Sequence, residues 1–549
     1  MSAVRTIHGS ALAIAETQPS APFVTVVRKG CETTITYGDL ASRSRDYAGE
    51  YRRRGLGKGD TIAIMVPHSP ELFPAFVGAM AIGSVPAIFP TLSPKQDPTI
   101  FWSAHDAVFH RMRMRLLLTD AEGLGQVRQA LPAHAHLAVS VTELCSRSDT
   151  VDESATVFTD DVAFLQHSSG TTGLKKGVQL THRAVLTQVD AYASTLSLSE
   201  HDRIATWLPL YHDMGLIACF MLPLVKRVPI VALDPFEWVL RPTSLLDVIE
   251  RYRCTLSWLP NFAFHHIVRT VHAGTRWRLE SMRAFIDCSE PCKPDTFDLF
   301  HTAFADMGLR HDALQVCYAM AENVFAVTQT DLTAPPRTIA VDREALLSRH
   351  LARPPSSGQP SVRLASCGRP IPTARVAIAG PDGQPAPERH IGEVLVGGES
   401  LFSGYHNVAT TTTVLRDGWY WTGDLGFLSS GELYVTGRRD DLLIINGNNV
   451  YAHDVEYAIN LHTAVKAGRC VALGIFNERS GSEELTVVAE VSGDERTRAE
   501  LKRRIGEVVL GEIGVTLTRA RFVEPGWLVK TTSGKISRRA NREKYLRNV

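Results

Sequence analysis

The chain has no apolar run long enough to cross a bilayer, no internal repeat and no long low-complexity stretch. The first absence argues against a membrane-spanning helix. The other two argue against a solenoid or a disordered scaffold. An excess of one charge is missing too: 58 basic residues face 58 acidic ones. Nothing in that balance points to wholesale binding of nucleic acid or a membrane surface. The nine cysteines are odd in number and scattered. Cys288 and Cys292 are the one close pair, and no second pair at metal-ligand spacing accompanies them. Buried, reduced packing thiols in a cytoplasmic protein are therefore expected. Near the start, Ala11-Leu12-Ala13-Ile14-Ala15 is cut short by Glu16 and has a weak basic lead-in, so a first helix is expected rather than a signal peptide.

At 549 residues the chain is too long for one core, and 44% hydrophobic with 21% charged residues is ordinary for a globular enzyme. Strand-like and helical patterns alternate up to about residue 330, which predicts an α/β fold. Thr61–Val66 and Val228–Leu233 read as strands; Pro70–Ile82 and Ser244–Tyr252 read as the helices that follow them. The texture changes from Leu332 to Ser366. Prolines and serines flank a helix-like piece, Asp342–His350, and the stretch reads as an inserted loop. Arg375–Tyr434 reads as a small β-rich subdomain. A polar hinge at Gly437–Asp441 then leads to a small α+β region with an Arg/Lys/Glu-rich helix, Thr497–Leu510. The expected division is a large multi-subdomain unit over 1–437 and a small mobile unit over 438–549.

The strand-like Val162-Ala163-Phe164-Leu165 leads into Ser168-Ser169-Gly170-Thr171-Thr172-Gly173-Leu174-Lys175-Lys176-Gly177, and Thr181-His182 opens a helical pattern. Hydroxyls and glycines at this density leave backbone N–H groups facing an anion, and the lysines add charge. The spacing is not a Walker A loop, because Lys175 stands where the second glycine is required. Far downstream, Thr531-Thr532-Ser533-Gly534-Lys535 places a lysine in a turn able to reach a distant site. A phosphate-gripping loop with a remote lysine suits carboxylate activation. A free acid has no good leaving group; joining it to AMP with loss of pyrophosphate supplies one. Charge builds on the phosphates in the transition state, where N–H groups, a lysine and Mg²⁺ stabilise it.

On these motifs the chain resembles the acyl/aryl-CoA synthetase, peptide-synthetase adenylation domain and luciferase superfamily, and within it the fatty acyl-AMP ligases. The resemblance covers nearly the whole chain and implies ATP and Mg²⁺ as cofactors, with a fatty or related carboxylic acid as substrate. It implies that Ser168, Ser169, Gly170, Thr171, Thr172, Gly173 and Lys176 hold the β- and γ-phosphates. Trp207–Gly215 is similar to the stretch beside the acyl carboxylate, which implies that role for His212 and Asp213. Ser289-Glu290-Pro291 matches the adenine contact. Tyr318-Ala319-Met320-Ala321-Glu322 matches the aromatic-x-x-x-Glu motif, implying that Tyr318 stacks on adenine and Glu322 helps hold Mg²⁺. Trp421-Thr422-Gly423-Asp424 supplies Asp424 for the ribose hydroxyls with Arg438, Asp440 is the implied hinge, and Lys535 matches the adenylation lysine. Trp258 and Phe262 are candidate acyl-pocket residues, although aromatics at this spacing also suit a plain core. Lys175 replaces the family's usual proline, and Ala319 its usual glycine.

The stretch 339–366, closed by Leu364–Pro370, is similar to the extra segment that distinguishes acyl-AMP ligases, which hand the acyl group to an acyl carrier protein. The same holds for Asn446–Tyr451 followed by Asp454-Val455-Glu456. The expected acceptor is the phosphopantetheine thiol of a carrier protein. An acyl-CoA ligase is the alternative, and a non-catalytic nucleotide- or acyl-binding protein is the alternative of another class. An insertion bracing the small unit would bias a two-state rotation against CoA.

Overall fold

The computed structural model describes residues 5–93, 96–144, 156–168, 176–408, 411–445, 448–466, 468–478, 482–530 and 536–548. Its centre is a nine-stranded sheet. Five strands in the middle, Ala284–Cys288, Leu256–Leu259, Ile204–Thr206, Ile230–Leu233 and Pro22–Arg28, run parallel to their neighbours. Leu314–Ala319 extends the parallel set beside Ala284–Cys288. Antiparallel strands close both edges. Parallel strands are covered on both faces and so read as unbroken apolar runs. Every residue of Ala284–Cys288 is buried accordingly. A second, four-stranded parallel sheet holds Thr61–Met65 and Val85–Ile88. The aromatic residues Tyr47, Phe73 and Phe76 join the large core beside it.

The expected helix over Ser244–Tyr252 is present. Leu245, Leu246, Val248 and Ile249 line its buried face, and Arg253 at φ +51° ends it. The helix expected over Pro70–Ile82 spans Leu72–Ala81, and the one expected over Thr497–Leu510 spans Glu495–Val508. Ile7–Thr17 is the first helix. Among the described residues all cysteines are free. Cys31 departs from the expected burial, because it sits exposed at the tip of the hairpin Pro22–Arg28/Cys31–Thr36.

The inserted stretch is not an irregular loop. Thr338–Asp342 pairs antiparallel with Ser361–Ala365, and the helix Arg343–Ser348 lies between them. Ile339, Val341, Val362 and Leu364 alternate along the two strands and pack on Ile391, Phe427 and Tyr434. The flanking prolines mask that period-two pattern. Asp342 caps the short helix through the Ala345 N–H and binds Arg353 at 2.6 Å.

The β-rich stretch expected at 375–434 is an antiparallel sheet that includes Gly392–Gly398, Trp419–Ser429 and Glu432–Arg438. The C-terminal residues form a separate five-stranded sheet around Ser482–Glu490. One face packs on the helices Ala452–His462 and Glu495–Val508; the other face packs on Arg538–Arg547. Among the described residues no helix is long and apolar enough to cross a membrane.

Candidate active site

The site residues gather where the central strands end at their C-terminal edge, the place open α/β sheets offer to ligands. Ala284–Cys288 delivers Ser289, Glu290 and Pro291, with Ser289 at φ +72°. The neighbouring strand Leu314–Ala319 delivers Tyr318. The Tyr318 hydroxyl donates to Asp424 Oδ2 at 2.6 Å, and Arg438 Nε donates to Asp424 Oδ1 at 2.9 Å. Asp424 and Arg438 are register partners in the hairpin Trp419–Ser429/Glu432–Arg438, so the pairing of the strands sets this contact. Gly423 at φ +75° turns the chain, and the Asp424 N–H then donates to Thr422 Oγ1 at 3.0 Å. A carboxylate offers about four acceptor positions, so the two bonds leave Asp424 further capacity for hydroxyl donors. Burial and the Asp424 carboxylate push the Tyr318 phenol well above its usual range. The same carboxylate raises the half-exposed Arg438 guanidinium despite desolvation.

Glu322 lies on the single turn Ala321–Asn323 that follows Met320. The Met320 N–H donates to the Phe325 carbonyl, and Val324 is held at φ +62°, where a β-branched residue is strained. The Tyr405 hydroxyl donates to Glu322 Oε1 at 2.8 Å and lies 3.4 Å from the Tyr420 hydroxyl. The Lys176 ammonium stands 4.8 Å from the centre of the Tyr405 ring. Burial raises the Glu322 carboxyl above its usual range, the Tyr405 hydrogen bond and Arg438 oppose this, and Asp213 adds to it. Tyr405 belongs to the two-residue strand Gly404–Tyr405, paired with Lys176–Thr181. No sequence motif marks it. Ser168 ends Val162–Ser168 opposite Lys176. Ser169, Gly170, Thr171, Thr172 and Gly173 lie outside the described residues, as does Lys535. Lys530 and Ile536 bridge across the base of the segment that contains Lys535.

His212 Nδ1 and Asp213 Oδ1 are 2.6 Å apart, and Asp213 accepts the Met214 N–H at 2.8 Å, capping the π-helical Met214–Met221. Gln166 Nε2 donates to the Tyr211 carbonyl at 3.1 Å, holding this loop against the strand Val162–Ser168. Trp258 is wholly buried, and its Nε1 donates to the Tyr192 hydroxyl at 2.9 Å. Phe262 is 37% exposed. Its N–H donates to Glu290 at 3.0 Å, so that carboxylate also caps the start of Asn261–Arg269. Its ring stands edge-on to Trp207 and Trp238, which stack at 3.6 Å and 4°. The Trp207–Trp238 pair is a site feature missed in the sequence, because its two members lie 31 positions apart in unrelated patterns. Asp287 is another. Its buried carboxyl oxygens have no hydrogen-bond partner among the described residues, and burial, with Glu290 nearby, pushes the carboxyl well above its usual range.

The C-terminal sheet meets this region through few groups. Lys293 Nζ donates to Asp454 at 2.6 Å, and Asn449 Nδ2 donates to the Leu347 carbonyl of the inserted hairpin's helix at 2.9 Å. The hinge candidate Asp440 is exposed on the single turn Arg439–Asp441. Asp441 and Glu456 both bind Arg538 at 2.7 Å.

Residues 13–406 match the AMP-binding enzyme family. The chain is 28% identical to the medium-chain-fatty-acid–[acyl-carrier-protein] ligase JamA of Moorena producens, over 93% of this chain and 90% of that one. It is 30% identical to a putative acyl-CoA synthetase of Caulobacter vibrioides, over 92% of this chain and 90% of that one. A solved structure from work on fatty acyl-adenylate ligases of E. coli and L. pneumophila superposes with a TM-score of 0.92 at 26% identity, covering 99% of this chain and 98% of the other. Together with the site motifs, these matches assign the chain to the AMP-binding enzyme family, among its adenylate-forming fatty acyl-AMP ligases.

Proposed function

We propose that the protein joins a fatty or related carboxylic acid to AMP, releases pyrophosphate, and passes the acyl group to the phosphopantetheine thiol of an acyl carrier protein. The observation that carries the nucleotide half is the Asp424 carboxylate, bonded at once by Tyr318 and Arg438 from separate segments. In this reading Tyr318 stacks on adenine beside the Ser289–Pro291 turn, and Asp424 accepts the ribose hydroxyls. The Ser168–Lys176 loop cradles the β- and γ-phosphates. Glu322 fits Mg²⁺, which favours hard oxygen ligands and takes one or two carboxylates with substrate phosphates. The ion supplies positive charge against the departing pyrophosphate. Tyr405 fixes that carboxylate, and His212 with Asp213 orients the acid.

The units 1–437 and 438–549 act as body and lid, turning at Asp440, and the lid brings Lys535 to the α-phosphate. The hairpin of segment 339–366 braces the lid through Leu347 and Asn449. That brace favours the carrier over CoA as acceptor. The resemblance to a putative acyl-CoA synthetase keeps CoA as the second reading.

Acid-dependent ATP–pyrophosphate exchange over a panel of fatty and cyclic acids tests the first half-reaction. Exchange with one acid class, lost in Lys535→Ala, is expected. Exchange unchanged in Lys535→Ala overturns the assigned mechanism.

A further inference from the structure

The chain is neutral overall, yet residues 515–549 hold nine lysines and arginines against two acids, Glu524 and Glu543. Within this range the strand Leu517–Val523 and the helix Arg538–Arg547 belong to the C-terminal sheet and its cover. Among the described residues the edge strand Leu517–Val523 pairs only with Ser482–Glu490, and the helix Arg538–Arg547 packs on the sheet through Tyr545. Most arginines elsewhere in the fold meet carboxylates, as Arg469 meets Glu490 and Arg283 meets Asp202. Here they do not. Arg521 donates to the Asn548 carbonyl at 3.1 Å and lies over the Tyr545 and Trp527 rings. Arg542 donates to the Gly474 carbonyl at 3.2 Å, and Lys544 to the Trp527 carbonyl at 2.7 Å. Among the described residues no carboxylate comes within ion-pair distance of these three or of the exposed Arg519. Carbonyls and ring faces hold the cations in place without neutralising them. Leu546 is 51% exposed between Arg542 and Arg547.

An arginine on an edge strand can serve simply to repel other strands. That accounts for Arg519 but not for the helix, whose backbone is already satisfied. An exposed apolar side chain on a helix that also carries Arg542 and Lys544, both held by carbonyls and not by carboxylates, has the anatomy of a protein-binding patch. The ten-residue helix alone is about 15 Å long, which spreads the charge too widely for a single phosphate group. The helix starts three residues after Lys535, so it belongs to the same small C-terminal unit as the expected adenylation lysine.

We propose that the face formed by Arg538–Arg547 and the edge strand Leu517–Val523 docks an acidic, phosphopantetheine-bearing carrier protein, Arg519, Arg521, Arg542 and Lys544 meeting its carboxylates and Leu546 its apolar centre. This rests on the reading that a carrier is the acyl acceptor. The proposal places docking on residues separate from those assigned to adenylation. Its electrostatic part acts mainly on encounter rate and is screened by salt.

The test uses the full chain and a holo acyl carrier protein with strongly acidic helices. The enzymes are the wild type, Arg519→Glu/Arg542→Glu and Leu546→Ala. Acid-dependent pyrophosphate exchange without carrier is expected to stay within about twofold of wild type, since adenylation does not use this face. The KM for the carrier is expected to rise roughly tenfold or more in the charge-reversed enzyme, which would lose most of the wild type's salt dependence. A carrier with its helical carboxylates changed to amides should be loaded equally poorly by both enzymes. Carrier loading unaffected by charge reversal would overturn the proposal. So would an equal loss with free CoA, which would assign the face to CoA phosphates, or wild-type-specific binding to anionic vesicles with carrier loading intact. If no acid supports exchange in the wild type, it is the adenylation reading that fails, not the docking face.

Discussion

Asp454, on the helix Ala452–His462, accepts a 2.6 Å hydrogen bond from Lys293, the residue just before the helix Pro294–Phe304. The pair ties the C-terminal sheet to the turn that follows Ser289-Glu290-Pro291. Burial pushes the Asp454 carboxyl up, but Lys293 and His453 more than offset this and leave it below its usual range. The C-terminal sheet, the lid of the proposed mechanism, is therefore held by a charge-assisted contact close to the proposed adenine site. Lys293→Ala is expected to lower the rate of pyrophosphate exchange about tenfold, equivalent to ~1.4 kcal/mol. The swapped pair Lys293→Asp/Asp454→Lys should recover most of it. A double-mutant cycle with no coupling would mean that the contact does not position the lid.

Asp424 joins Tyr318 and Arg438 in the proposed nucleotide site, so its loss is expected to act on ATP. Asp424→Ala is expected to cut kcat/KM for ATP by roughly 10²–10³, that is ~3–4 kcal/mol. Tyr318→Phe keeps the ring and loses only the hydroxyl bond, so it should cost far less. Steady-state kinetics at varied ATP checks both. Equal losses in the two variants would contradict stacking as the main contribution of Tyr318.

Four of the strongest site positions, Tyr318, Glu322, Asp424 and Arg438, stand out in the sequence because each sits in a short motif beside a glycine or an aromatic residue. Their convergence is not visible there. It depends on the register that sets Asp424 opposite Arg438, and on strand order across the large sheet. The helix Ser244–Tyr252 is legible because its apolar positions fall on one face. The hairpin Thr338–Asp342/Ser361–Ala365 is obscured because its prolines and polar residues read as loop, and its partners Phe427 and Tyr434 come from far along the chain. Tyr405, Trp238 and Lys293 carry no local signal at all; tertiary contacts alone give them a part in the site.

His453 is partly buried, and its desolvation lowers the pKa from 6.5 to about 4. A histidine with a depressed folded-state pKa favours the folded state while it is neutral. That contribution is complete above pH 6.5 and is lost as the pH falls towards 4. The shift amounts to roughly 3 kcal/mol at most, an order-of-magnitude figure. Chemical denaturation of wild type and His453→Gln at pH 7.5 and 4.5 should show a smaller acid loss in the variant. Equal losses would rule out His453 as a source of the acid sensitivity.

Glu322 has a raised pKa, so more of it is protonated near neutrality than of an ordinary glutamate. Activity that needs its carboxylate should rise with pH through a midpoint above 4.5. Glu322→Gln should remove that limb and raise the Mg²⁺ concentration needed for exchange by at least about tenfold. An unchanged Mg²⁺ requirement would take Glu322 out of the metal role.

Gly437 admits no side chain in this state. A Cβ there would lie 2.6 Å from the Tyr451 ring and 2.8 Å from the His453 ring. Gly437→Ala is expected to cost about 1–3 kcal/mol of stability through overpacking. Thermal denaturation checks this, and an unshifted Tm would show that the contact yields freely.

The central claim is that the acyl-adenylate formed here goes to a carrier protein, with the inserted hairpin holding the lid through Leu347 and Asn449. The most direct measurement gives the enzyme ATP, Mg²⁺ and its preferred acid, with CoA and a holo-carrier together, and identifies the products by mass spectrometry. Acylated carrier and acyl-AMP without acyl-CoA, together with new acyl-CoA in Asn449→Ala, is the predicted result. Efficient acyl-CoA formation by the wild type would contradict it.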